Sequence, residues 1–189
     1  MAALCAERGY LAVDLDAVLE RAGVGEEDFH CHFVDLEDCF CSIVKTGTDE
    51  LLSRAGAAFA TQEGWANQLR AVGYAMLDFL NEDPARARVM VVESFAACER
   101  SRGIRERGMA ALAALIDLAR LELEDADSIP RTTAELTAGA AYNHIHVAVE
   151  SGKPLTEKMV RELMYVAVRP YLGVDAALAE LDVPRPESP

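Results

Sequence analysis

The chain has 189 residues, 51% hydrophobic and 26% charged, enough apolar mass for one good core or two small cores sharing a helix. A formal charge of −14 opposes non-specific attachment to nucleic acid or anionic lipid. No apolar run reaches the roughly 18 residues of a membrane span, and "MAALCAERGY" lacks the basic start and apolar stretch of a signal peptide. A cytoplasmic location without a membrane partner is therefore expected. Cys5, Cys31, Cys39, Cys41 and Cys98 form an odd set without the density of a disulfide scaffold, which fits reduced thiols.

In chain order, "LDAVLERAGVGEEDFHCHF" predicts a helix from Asp14 to Ala22, a turn at Gly23 and Val24, and a short helix from Glu26 to His32. Gly23 suits the turn because it takes positive φ without a Cβ clash, and Val24 is expected to pack between the two helices. Gly25 is an acceptable N-cap, and Glu26, Glu27 and Asp28 favour the helix dipole by about 0.3–1 kcal/mol each. Leu36, Phe40, Ile43, Gly47, Leu51, Ala55 and Phe59 then recur at three or four residues, predicting one long helix capped by Asp35.

A second stripe runs through Trp65, Leu69, Val72, Met76, Phe79 and Leu80 to "NEDP". There Asp83 offers a cap and Pro84 the first position of a helix carrying Val89 to Val92. After a break at "ERSRG", Met109, Leu112, Leu115, Ile116 and Ala119 define another helix ending in "ELEDADSIP". Two more are expected at 131–151 and 155–172, separated by "SGKP", with Gly152 as a C-cap glycine. The proline-rich tail "DVPRPESP" is expected to fray. With no alternating segment and no repeat, the expected fold is all-α.

The helix-turn-helix, carried by Gly9-Tyr10, Ala22-Gly23-Val24, Phe29, His32, Phe33, Glu37 and Phe40, resembles the tetracycline-repressor (TetR) family of transcriptional regulators. The resemblance covers the first 40 residues, and the remainder matches in architecture. It implies a helix-turn-helix head over 1–41, a ligand-binding and dimerisation bundle over 42–181, and a tail over 182–189. The first helix is truncated against the family's, and the basic arm that precedes it there is expected to lie outside this sequence. The family mechanism is a homodimer that presents two recognition helices to operator DNA and respaces them when a small-molecule effector binds.

Carried onto this chain, the resemblance puts Val13, Asp14, Gly25, Glu26, Glu27, Asp28, His30, Cys31 and Leu36 at the DNA. Here the chain departs from the pattern. Gly25 stands where the family has a small hydroxyl residue, His30 where it has a tyrosine, Leu36 where it has a lysine, and Val13-Asp14 where a threonine or serine caps. Residues 1–40 hold ten acids against Arg8 and Arg21, a formal charge of −8. Phosphate neutralisation supplies much of DNA affinity, so this head would repel its target. The other reading is a dimeric small-molecule or protein-binding module whose head has lost operator binding.

Bulky residues on the middle helices, Trp65, Tyr74, Met76, Phe79, Met90, Met109 and Tyr142, with Glu93 and His146 as polar groups, are the expected ligand contacts. Small and apolar positions on the last two long helices, Ala138, Ala141, Ala148, Met159, Leu163, Val166 and Tyr171, are the expected dimer interface. Neither a metal nor a cofactor is expected. His30 and His32, like Cys39 and Cys41, point about 200° apart on a helix and do not converge without partners from elsewhere. Without a serine elbow, phosphate loop or HExxH, no enzyme is expected.

Overall fold

A computed structural model describes residues 1–186, apart from the side chain of Ala96, and contains helices and loops with no strand among those residues. The head is punctuated by glycines and carboxylates. Helix α1 (Ala2–Arg8) stops at Gly9, φ 78°. Asp14 caps α2 (Leu15–Ala22), its carboxylate accepting from the Ala17 N–H at 2.8 Å. Gly23 ends that helix at φ 68°, the left-handed region where a side chain is disfavoured. The Gly23 and Val24 N–H groups both donate to the Leu19 carbonyl, at 2.8 and 3.2 Å. The next helix, α3 (Glu26–His30), begins after Gly25 and ends two residues before the expected His32. Val24 is 42% exposed, against the expectation that it packs between the helices, because Phe29 fills that position at 5%.

The body starts with α4 (Leu36–Ala60), capped reciprocally: Asp35 accepts from Asp38 N–H at 2.7 Å, and Asp38 accepts from Val34 N–H at 3.2 Å. It continues through α5 (Trp65–Glu82) and α6 (Pro84–Arg88), which passes into a π-helical segment Val89–Glu93 and one further turn, α7 (Ser94–Ala96). Then come α8 (Glu99–Asp117), two 3-10 turns, α9 (Thr132–Glu150) and α10 (Glu157–Glu180).

Three expectations are corrected. "ERSRG" forms the start of α8, because Cys98 Sγ accepts from Ser101 N–H at 3.4 Å while Ser101 Oγ accepts from Cys98 N–H at 3.3 Å. The last helix continues past 172 through Pro170 and a kink at Gly173 (φ 85°), because the turns beyond bury Ala177 and place Glu180 on Arg70. The tail does not fray up to residue 186: Arg185 pairs with Asp78 and lies 5.2 Å from the centre of the Tyr74 ring. Residues 187–189 of the expected frayed tail lie outside the described part.

Two apolar cores result. Leu4, Cys5, Val13, Val18, Phe29, Cys39, Phe40, Cys41 and Val44 close the head together with Val89 and Ile104, which belong to the body's π segment and α8. The larger core joins α5, α8, α9 and α10 around Trp65, Phe79, Ile116 and Val168. The head is therefore seated on the body through shared apolar contacts.

Candidate DNA-reading head and ligand cavity

The bend at Gly23 leaves α3 with Phe29 turned into the head core and everything else outward. Gly25, Glu26, Glu27, Asp28, His30 and Cys31 are all exposed. Asp14 is exposed as well, but its carboxylate is occupied by the cap. Val13 is buried at 7%, so its side chain is not presented at the surface as the resemblance implied, and Leu36 is half-buried against the head core. Both are apolar, and the core takes them. His30 Nε2 lies 3.8 Å from Glu26 and its Nδ1 lies 3.2 Å from the Phe33 carbonyl. Arg21 makes a two-pronged pair with Glu7, at 3.0 and 3.1 Å, which joins α1 to α2 and consumes one of the head's two arginines. The Glu7 carboxyl is held below the usual carboxylate range, chiefly by that hydrogen bond.

In the body, a cavity of about 100 Å³ opens between α4, α5, α8, α9 and the π segment. Of the expected ligand contacts, Met76, Met90, Met109 and Tyr142 line it. Gly47 on α4 admits this packing, since a Cβ there would collide with the Met90 side chain. The π turn displaces the backbone ladder. The Val91 carbonyl within it accepts a hydrogen bond from Tyr142 Oη at 2.6 Å and one from His146 Nδ1 at 3.1 Å, so His146 carries a proton on Nδ1. Burial pushes the Tyr142 phenol above its ordinary pKa, which keeps it a donor.

The other expected contacts lie elsewhere. Trp65 is core, donating from Nε1 to the Leu115 carbonyl at 3.0 Å with Tyr171 at 5.3 Å. Phe79 is core with Arg86 over its face at 4.1 Å, and buried Tyr74 lies under Arg185. Glu93 binds Arg88 at 3.3 Å and accepts the Tyr10 N–H at 2.9 Å, fastening the head to the π segment. His146 flanks the cavity through Val91 without lining it.

Of the lining residues not expected from the sequence, Arg105 bears most on chemistry. Among the described residues Arg105 is the only charged one around the cavity, its Nε is buried without a hydrogen-bond partner, and its guanidinium lies 4.7 Å from the Phe95 ring centre and 5.6 Å from that of Tyr142. A signal existed, because Arg105, Met109 and Leu112 recur at helical spacing, but it was hidden by reading the adjacent charges as a break.

Of the expected dimer positions, Ala138, Met159 and Tyr171 are buried in the chain's own core, a correction: α9 and α10 use these residues against α5 and α8. Ala141, Leu163 and Val166 line a second, largely apolar cavity of about 70 Å³, and Ala148 packs partly against the core. The apolar residues that α9 and α10 expose are Leu136, Val147, Val166, Leu172, Val174 and Leu178.

Among the thiols, Cys31 is exposed and Cys39 is a small core residue. Cys41 meets Cys98 of the α8 cap, Sγ to Sγ 3.4 Å. Burial, followed by that contact, pushes the Cys41 thiol up to about 12.

No family model matches the chain. It is 29% identical over 84 residues to the HTH-type transcriptional activator FasR of Mycolicibacterium smegmatis. That match covers 44% of this chain and spans 38% of the relative's length. In fold the chain is similar to SCO3833 of Streptomyces coelicolor A3, a member of the TetR transcriptional regulator family whose crystal structure superposes with a TM-score of 0.61. The two share 20% identity over 91% of this chain and 87% of that one, so the all-α fold is the TetR fold. Among the described residues no helix is long and apolar enough to cross a membrane.

Proposed function

We propose that this chain, built on the TetR fold, is a ligand-responsive transcriptional regulator that binds operator DNA as a homodimer in the cytoplasm. Residues 1–41 form the reading head, and residues 42–181 hold the effector and the partner. One observation carries this reading: the elements that close the head core also wall the ligand cavity. Val89 enters the head core while Met90 and Val91 face the cavity, and Ile104 enters the head core while Arg105 faces the cavity. A ligand that reshapes the cavity therefore acts on the head's seat directly, which is what a two-state regulator requires.

The effector is an apolar-bodied molecule with an acidic group, because the cavity wall is mostly apolar and its one charged residue, Arg105, has an Nε left without a partner. At about 100 Å³ the cavity is small. A neighbouring cavity of about 70 Å³ shares Val72, Met76 and Leu112 with it, and the flexible Met76 is the residue that repacks to join them. Arg105→Met is expected to weaken binding of the amphipathic anion anilinonaphthalene sulfonate by about tenfold or more, the loss of one charged hydrogen bond. Equal affinity of both proteins, measured by fluorescence titration, counts against the assignment.

Dimerisation through α9 and α10 is supported by their exposed Leu136, Val147, Val166 and Leu172, which a twofold mate would cover. On DNA, the three acids of α3 oppose the phosphates. At roughly 8 Å in water each costs about 0.5 kcal/mol. The E26Q/E27Q/D28N triple variant is thus expected to bind DNA from upstream of its gene about three- to tenfold more tightly, in fluorescence anisotropy at fixed salt. For the unaltered protein, affinity falls steeply as salt rises. Absent or salt-insensitive binding by both proteins supports the other reading, a dimeric binding module without an operator. The head's own charge favours that alternative, since Arg21 is neutralised by Glu7 and nine acids then remain against Arg8.

A further inference from the structure

We infer that Glu37, Cys41 and Cys98 form a binding site for a thiophilic divalent ion, Zn²⁺ by its chemistry. Glu37 and Cys41 are one helical turn apart on α4 and so share a face. Cys98 arrives from the start of α8, 57 residues away, which is the converging partner that helical neighbours cannot supply. The three ligand atoms lie within 4.8 Å of one another, with the two sulfurs 3.4 Å apart. Tetrahedral Zn–S bonds of about 2.3 Å set sulfurs roughly 3.8 Å apart, so the pair needs to open by only a few tenths of an ångström. The carboxylate must close by more, and Glu37 is exposed and at liberty to swing.

At Cys98 the surroundings favour thiolate, whereas Cys41 is buried and gives up its proton only to the charge of the incoming ion. Cys98 Sγ already accepts the Ser101 N–H at 3.4 Å, the kind of amide contact that steadies a metal-bound sulfur. It also sits at the N-terminus of a 19-residue helix, whose positive end lowers the cost of the anion. Arg100, paired with Asp38 at 2.7 Å, adds a cation beside the site. Binding releases one proton from each thiol and leaves a fourth coordination position to water. Glu37 and Cys41 lie on the turns of α4 that carry the head, and Cys98 begins the helix that carries Arg105. The ion would tie the head's seat to the cavity wall independently of whether the chain reads DNA.

The test uses the full chain, fully reduced and freed of metal by a chelator, titrated with Co²⁺ and then Zn²⁺ without oxidant. One equivalent of Co²⁺ with thiolate-to-cobalt charge-transfer absorption, displaced by Zn²⁺, is expected. C41S and C98S should lose that absorption, C31S should keep it, and E37Q should weaken binding about tenfold or more. Glu37 is exposed, so E37Q leaves helix content and melting of the metal-free protein unchanged. The inference is overturned by absence of the absorption, by its survival in C41S or C98S, by unaltered affinity in E37Q, or by a thiol pair that takes no ion and only forms a disulfide under an added oxidant.

Discussion

Arg70→Met is expected to lower the unfolding free energy by about 3–5 kcal/mol, because it strands a buried carboxylate. Arg70 on α5 and Glu180 at the end of α10 are 7% and 6% exposed. They are joined by hydrogen bonds of 3.0, 2.7 and 2.8 Å, and Asn67 takes the remaining guanidinium edge at 2.8 Å. The pair is what the Gly173 kink achieves, since it brings the last two turns of α10 back onto α5. At about 2–4 °C per kcal/mol for a chain of this size, the melting temperature falls by roughly 6–20 °C. The R70M/E180L double variant, which leaves no charge behind, should recover most of that loss. Urea melts at one protein concentration check both, and an R70M variant within about 1 kcal/mol of the parent would show that the pair is hydrated in solution.

A comparable loss, about 3–5 kcal/mol, is expected for Phe40→Ala. Phe40 is fully buried at the start of α4 with the Tyr10 ring 4.3 Å away, and its core includes Val89 and Ile104 from the body. The head's core is therefore shared with the body and not closed by the head alone. Its melting in F40A should remain a single transition followed equally by circular dichroism and by Trp65 fluorescence. Since Trp65 lies in the other core, a head transition preceding an unchanged Trp65 transition would show that the two units fold apart.

The fold was legible because its instructions are local. Caps act within three residues: Asp14 on Ala17, Asp35 on Asp38, Asp83 on Arg86. Gly23 ends α2 by its own backbone preference, and apolar spacing marks the buried face of each long helix. So the all-α fold and the bend of the helix-turn-helix could be read from composition, spacing and a handful of caps.

Direction and partnership were not legible in this way. Ala138, Met159 and Tyr171 have the chemistry of an interface or of a core, and only the packing of α9 and α10 on α5 and α8 made them core. Val13 and Leu36 were drawn inward by an apolar head that the sequence could not show assembled. Arg105 points into an apolar wall, Glu93 takes the Tyr10 amide, and Cys41 finds Cys98 across 57 residues. Local free energies of a kcal/mol or so chose the helices. Burial shared among several helices chose their faces, and no single segment encodes that sum.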